Sequence, residues 1–450
     1  MKHGMGSAVV LVSAALASAS LAVTMARAQQ APVRLTLEDV IHRALAANLN
    51  VLEAQSRVAE DQGAETRSHA ALLPRISAET YANYQNRNLR AFGISVPGLP
   101  LPDVVGPFSN YDFRFYAQQS VLDLSSLHTW RASRQAADAD KLSEQDARDL
   151  IVRVAAGFYL NAQSAAARAQ AAQSRVTDST ALLKLALDRH DAGTATGVDV
   201  LRAQVQLAND KQALLEEQNQ YRQSLLELAR NVGMSPGTPL ELAEPLRFQA
   251  FDQPAAEALV ASALGMRGDY QSLASQRRSI VEQQRANRAR FYPKVSINGN
   301  LGELGRSIGG VDTTGLIQGQ IDFDVFDRDR EGEAQQLAAR LRRVDDQMDD
   351  LRRGVDEDVR AALLNLDSAA QQVQVAGEGQ ELARRELQEA QDRFQTGTAN
   401  NIEVVTAQDE VARAEENYIL AVSSHVDAKY ALARALGDTE RNMVKFAGNQ

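Results

Sequence analysis

The sequence predicts a mixed α+β chain built from two copies of one unit, each a β-hairpin wet on one face followed by a very long helical hairpin. Three observations carry that expectation. A shift of 204 positions lays "DAGTATGVDVLRAQV", from Asp191, over "QTGTANNIEVVTAQD", from Gln395, so that Gly193 meets Gly397 and Gln204 meets Gln408. Short runs alternate apolar and polar residues, the period of a strand with one buried face. Longer runs space their apolar residues by three and four, the period of a helix packed along one seam.

The chain has 450 residues, 44% of them hydrophobic and 24% charged, which is ample for a core and two or three domains. Residues 1–28 read as a secretory signal. Lys2 and His3 open a short positive stretch, Val9 to Val23 is apolar and small, and Ala26-Arg27-Ala28 fits a small-x-small cleavage pattern. An uncleaved anchor helix is the alternative. Without Lys2 and Arg27 the net charge goes from −10 to −12, which argues against a nucleic acid or an anionic membrane surface as partner. There is no cysteine, hence no disulfide and no cysteine for lipid attachment. Past the signal no run reaches about 18 apolar residues, so any membrane crossing falls to β-strands.

The first unit is expected over 29–233, with a leading helix, a β-hairpin at about 74–121 and a helical hairpin at about 123–232. A linker at 234–254 joins it to the second unit, 255–437, with its β-hairpin at about 293–325 and helical hairpin at about 327–436. Residues 438–450 form a tail. The 204-residue register also carries "VLD" at Val121 onto "VFD" at Val325 and "LARNVG" at Leu228 onto "LARALG" at Leu432. Upstream the shift is 219, from "LLPRIS" around Pro74 to "FYPKVS" around Pro293, so the first hairpin holds the longer insert. Two long units, rather than a short-period solenoid, account for this.

Within the hairpins, Val295, Ile297, Gly299 and Leu301 alternate with Ser296, Asn298 and Asn300. Ile317, Gly319, Ile321, Phe323 and Val325 alternate with Gln318, Gln320, Asp322 and Asp324, the four candidates for a lumen-facing side. The first copy repeats the pattern in Ile76, Ala78, Thr80, Ala82 and Tyr84, and in Phe113, Phe115 and Ala117. Four strands of about 9–11 residues suit a tilted membrane strand, with Tyr81, Tyr84, Tyr111, Phe113, Tyr116, Phe291 and Tyr292 as a girdle. A soluble hairpin with one buried face is the alternative. The Pro-rich insert from Arg90 to Asn110 is expected as an extracellular loop.

Past each hairpin the period changes. Leu337, Leu341, Val344, Met348, Leu351, Val355, Val359, Leu363, Leu366, Ala370 and Val373 form a heptad seam with one stutter near Val355. The return helix follows in Val404, Ala407, Val411, Ala414, Tyr418, Ala421, His425, Ala428 and Leu432. Asp123 and Asp327 stand where strands give way to helices. Gly233 to Pro254 breaks helix, and with the tail it is expected to form a small irregular collar.

The repeated stretch falls at the turn of each helical hairpin. Gly193 and Gly397 supply the permissive backbone that ends a helix, followed by Thr194 and Thr398. Asp199 and Glu403 then fall in the first turn of the return helix, where the dipole favours an acid. All of this is complete as turn chemistry. If the β-hairpins sit in a membrane, these turns lie at the far ends of the helices, on the order of 100 Å away. Four strands cannot close a barrel, the smallest membrane barrels having about eight. Open edges in lipid leave backbone groups unsatisfied, so protomers would have to pool strands.

The order of elements, with "LLPRIS", "FYPKVS", "VFD" and "TGTANNIEVVTAQ", resembles the TolC-type outer-membrane efflux protein family over essentially the whole chain after the signal. The resemblance implies a homotrimer with a 12-stranded barrel in outer-membrane lipid, in the bacterial cell outer membrane, and a long periplasmic α-barrel. The α-barrel's tapered end would open on engagement of a periplasmic adaptor and an inner-membrane pump of RND or ABC type. Asp199 matches an acid that ties neighbouring coiled coils together. Glu403 matches one that lines the constriction in some members, where three copies form a cation-attracting ring. The family's best-known pattern has an arginine where this chain has Ala399 and a second acid where it has Thr406, so one carboxylate ring, or a mainly apolar and hydroxyl constriction, is expected in place of a double acidic ring and an arginine lock.

The function implied is a passive exit duct of a tripartite efflux pump. The alternatives are the outer component of type I protein secretion and an exported structural coiled-coil protein outside any membrane. No GxxxxGK[ST] loop, histidine ligand spacing, calcium loop, or nucleophile paired with a base is legible, so no cofactor, metal or catalysis is expected.

Overall fold

The computed structural model describes residues 32–93, 98, 102–251, 255–437 and 439–446. The expected signal, residues 1–28, lies outside the described residues, as does part of the Pro-rich insert. The sequence repeat returns as matched helices. α2 (Leu49–Ala70) and α6 (Gly268–Ala289) have 22 residues each, and α3 (Leu124–Asp191) and α7 (Asp329–Thr396) have 68 each. The leading helix of each unit is two helices rather than one: α1 (Leu37–Ala47) precedes α2, and α5 (Ala256–Met266) precedes α6. Extended backbone at Asn48 (ψ 126°) and Arg267 (ψ 120°) makes the two breaks, which the 219-residue shift relates. At Asn48 the side chain accepts the N–H of Asn50 at 2.9 Å, a local bond that competes with helix continuation.

The chain divides into two compact units. The first comprises 32–52, 146–267 and 355–446. Its core gathers Leu35, Val40, Ile41, Val152, Tyr159 and Leu228 around Tyr430. α1 enters it through a Thr36–Asp39 capping box and buries Leu37, Val40, Ile41, Ala44 and Leu45, the one-sided spacing of an amphipathic helix. The expected irregular collar contains regular structure. β1 (Val33–Leu35) pairs in parallel with β4 (Leu240–Leu242) from the linker, and the tail forms a helix, α9 (Thr439–Phe446). The buried Asp149 carboxylate starts that helix by accepting the N–H groups of Thr439 and Glu440 at 3.1 and 3.3 Å. α4 (Gly197–Asn231) and α8 (Asn401–Leu436) are the return helices. α8 ends at Gly437 (φ 78°), where an added Cβ would lie 2.6 Å from the Arg267 Cα.

The second unit comprises 53–145 and 268–354. It holds an antiparallel sheet in the order β2-β3-β5-β6: β2 (Arg75–Asn88), β3 (Val104–Leu122), β5 (Lys294–Ser307) and β6 (Gly310–Asp322). The strands run 14, 19, 14 and 13 residues, longer than the sequence suggests, because backbone pairing continues past the point where alternation fades. β3 therefore takes Val104–Asn110 out of the expected loop. Pro107 fits there because the pairing shifts between Gln85 and Arg87, a bulge that spares its missing N–H. At the other end β6 stops where Asp322 pairs with Lys294, so Phe323, Asp324 and Val325 lie beyond the strand. Asp123 caps α3 by accepting the Ser126 N–H at 2.9 Å, whereas Asp327 pairs with Arg290 and α7 starts two residues later.

Registered pairs sort the sheet into two faces. Ile76, Ala117, Gly299 and Ile317 follow one another across the strands on one face, and Arg75, Gln118, Asn298 and Gln318 on the other. The apolar face is open to solvent, with Ile317 85% exposed. Tyr81 and Tyr116 pair with Asp112 and with Ser77 and Asn300, which puts them on the polar face and outside the expected aromatic girdle. The polar face is hydrogen-bonded across strands: Arg114 donates to Asp112, Asn300 and Thr314, and the Tyr81 hydroxyl donates to Asp112 at 3.1 Å. β2 and β6 stand at the two edges of this sheet.

Candidate functional site at the helical hairpin tips

Both tips lie in the first unit and share one local design. At the first, α3 ends with Gly193 at φ 73°, and the N–H groups of Thr194 and Ala195 return to the Arg189 carbonyl at 2.8 and 3.2 Å. At the second, α7 ends with Gly397 at φ 83°, and Thr398 and Ala399 return to the Arg393 carbonyl at 2.9 and 3.2 Å. The Thr194 and Thr398 hydroxyls donate to the same two carbonyls at 3.0 and 3.1 Å. Carbonyls that a helix end would leave orphaned are thus satisfied by the turn itself.

The two acids are used differently. Asp199 closes a capping box, its carboxylate accepting from the Thr196 N–H at 3.0 Å and from the Thr196 hydroxyl at 2.7 Å. Burial alone would raise its pKa, but those bonds together with Arg202 and Arg189 outweigh it and hold the carboxyl below its ordinary value. Glu403 takes no box. Asn400 caps that helix by accepting the Glu403 N–H, and the freed carboxylate pairs with Arg393 across the turn at 2.9 Å. The side chain of Asn401 ties the tips together, donating to the Asp199 backbone carbonyl at 2.7 Å.

Beneath the turns Leu182, Ala186, Ala203, Ala390, Val404 and Ala407 pack around Phe394, whose ring carries the Arg189 guanidinium 4.9 Å from its centre. An exposed apolar groove of about 340 Å³ runs beside them, lined by Val198, Leu201, Val205, Ile402, Val405 and Thr406. Gly193, Thr194, Asp199, Gly397, Thr398, Glu403 and Thr406 therefore meet at one place. Gln318, Gln320 and Asp322 are exposed on the polar strand face of the other unit, and Asp324 follows that strand.

Arg189, Arg393, Phe394 and Asn401 are absent from the sequence-derived set. The two arginines were within reach: the 204-residue shift also carries Asp188-Arg189 onto Asp392-Arg393, just upstream of the repeated motif. Phe394 and Asn401 stand opposite His190 and Gly197, so the repeat gives no sign of them.

A sequence model of a family described as outer membrane efflux protein matches residues 40–234 and 259–438, most of the chain. The chain belongs to that family. Among relatives of this chain, the pyoverdine export outer membrane protein OpmQ of Pseudomonas aeruginosa is 25% identical over 275 residues, which cover 59% of this chain and 55% of OpmQ. The chain spans about half the length of the curated relatives it matches. Among solved structures, the outer membrane protein VceC of Vibrio cholerae has a TM-score of 0.72 at 19% identity, over 89% of this chain and 96% of VceC. The CmeC outer membrane channel of Campylobacter jejuni has a TM-score of 0.72 at 15% identity, over 92% and 89%. The fold of this chain is that of TolC-like channels. Among its described residues no helix is long and apolar enough to cross a membrane.

Proposed function

We propose that this chain is the outer-membrane exit duct of a tripartite efflux pump, conducting substrate passively from a periplasmic adaptor and an inner-membrane pump to the exterior. The observation that carries the reading is the sheet: four strands with two open edges, an apolar face left bare and a polar face knitted by Arg114. Such a sheet is stable in lipid only when its edges are paired by other copies, and three protomers give twelve strands. Family membership, and relatives named as outer membrane export and channel proteins, support the same reading. The chain carries no phosphate-binding loop, so the energy comes from the partner pump.

The tips are the gate in this reading. Arg189 on Phe394 and Asn401 on the Asp199 carbonyl hold the two turns of a protomer together, Arg393 with Glu403 braces the second turn, and the apolar groove beside Thr406 receives the adaptor. Glu403 lines the constriction as a carboxylate partly offset by Arg393, while Asp199 is committed to its helix start. The test is outer-membrane fractionation, gel mobility with and without boiling, and conductance in planar bilayers. A heat-modifiable trimer that forms pores is expected. A protein that stays soluble and monomeric without detergent overturns the reading.

A further inference from the structure

In the sheet-bearing unit, α3 and α6 border a groove of about 660 Å³ lined by five arginines: Arg131 and Arg134 from α3, and Arg277, Arg278 and Arg285 from α6. All five are exposed. Among the described residues only two acids line the groove, and both are engaged: Glu282 by His128 at 2.7 Å and by Arg285, and Asp138 by Lys141 at 3.2 Å. Arg277 pairs with Asp345 of α7 at 2.6 Å. Arg131 and Arg134 have no acid partner among the described residues, and Arg278 donates only to the neutral Gln135 and Ser275, at 2.7 Å each. The groove is a concentrated positive patch on a chain whose formal net charge is −10. The net charge argued against anionic surfaces, and it conceals this patch.

Two placements say what the patch faces. α3 touches α6 through Ser125, His128, Ala132 and Ser143, and it touches α2 through Ser133. At about 100° per residue those two contact faces stand only about 100° apart, and Arg131, Arg134 and Asp138 point almost directly opposite their bisector. In a wall of helices closed into a tube, that is the outer, convex side. Along the chain, Arg131 stands nine positions past the last residue of β3, about 13 Å of helical rise. Arg285 precedes the first residue of β5 by nine. Between the groove and the bare apolar strands come Phe291 and Tyr292, both exposed, and Trp130 stacks on His69 at 5.0 Å beside the arginines. Exposed apolar strands, then aromatics, then arginines reproduce the succession from hydrocarbon to headgroup.

We propose that this groove binds the phosphate of an anionic phospholipid headgroup in the leaflet at the periplasmic end of the strands. The proposal rests on the outer-membrane reading of the sheet. Arginine suits it because its planar fork donates two hydrogen bonds to phosphate oxygens, and among the described residues no lysine lines the groove.

The test uses full-length protein inserted into phosphatidylcholine vesicles with and without phosphatidylglycerol, with co-purified lipid counted by native mass spectrometry. The variants are R131Q/R134Q/R278Q and the charge-keeping R131K/R134K/R278K. Wild type is expected to retain phosphatidylglycerol preferentially, and the glutamine variant to lose about five-fold of that preference per arginine removed. The lysine variant is expected to keep most of it. A glutamine variant that inserts and retains phosphatidylglycerol as wild type does overturns the inference while leaving the duct reading intact. Displacement of the lipid by millimolar inorganic phosphate with no loss of vesicle selectivity overturns the lipid as occupant. Wild type that inserts into neither kind of vesicle overturns the inference together with the duct reading.

Discussion

Replacing Phe394 with alanine is the perturbation that most directly tests whether the tip is held as a unit. Phe394 is 2% exposed although it stands in the last turn before Gly397, and it fills the space between Leu182 and Ala186 of one hairpin and Ala390 and Val404 of the other. Truncating a buried phenylalanine costs about 3–5 kcal/mol in lost burial and cavity. Losing the Arg189 guanidinium over its face adds about 0.5–1 kcal/mol. The seven-residue cluster around it is separate from the Tyr159–Leu228 core, so the loss falls on local opening of the tip rather than on global unfolding. Amide exchange in residues 386–408, followed by mass spectrometry, should quicken by about 100-fold or more at the lower bound of that cost. Pore conductance should rise, while exchange around Tyr159 and Leu228 stays as in wild type. Phe394→Leu should recover most of both effects. If tip exchange changes by less than about three-fold in Phe394→Ala, the cluster does not hold the tip and the gate assignment fails.

Ile317→Arg should cost about 2–4 kcal/mol of membrane stability, read from urea titration in vesicles, whereas Gln318→Arg on the opposite face should be tolerated; equal effects would contradict the assigned faces. Glu403→Gln should lower the cation preference of the pore and Arg393→Gln should raise it, measured as reversal potentials in a salt gradient; unchanged selectivity in both removes the pair from the constriction. His425 is buried against Phe248 and Lys429; burial first, and the Lys429 charge second, push its imidazole from 6.5 down to about 4. The folded chain thus refuses a proton that the unfolded chain accepts below pH 6.5. Stability is fully present above that value and falls as pH drops toward about 4, by up to about 3 kcal/mol from this group. The midpoint of thermal unfolding at pH 7 and at pH 5 should therefore differ less in His425→Gln than in wild type; an equal difference would refute the neutral buried imidazole.

Much of this protein is legible without coordinates because it is short-range. The 204-residue register, the two-residue alternation of the strands and the three-to-four spacing along α7 and α8 are properties of neighbouring residues, and each became an element of matching type. Gly193 and Gly397 read as helix ends because a left-handed backbone favours glycine whatever surrounds it. Strand ends were less legible: a bulge let β3 run through Pro107, and β6 stopped before Asp324 when its partner ran out. Tyr81 and Tyr116 stand near strand ends yet face the polar side, because parity along the strand, not nearness to its end, decides the face.

What only the tertiary structure decided is which side chains meet across segments far apart in sequence. Asp199 and Glu403 are equivalent in the repeat, yet one is spent on its helix start and the other pairs with Arg393. The difference follows from Thr196 standing where the second copy has Asn400. Arg131 and Arg278 are unremarkable charges until α3 packs against α6. Hydrogen bonding within a turn is set by the few residues that form it. A groove's charge depends on which helix faces touch, and long-range packing alone settles that.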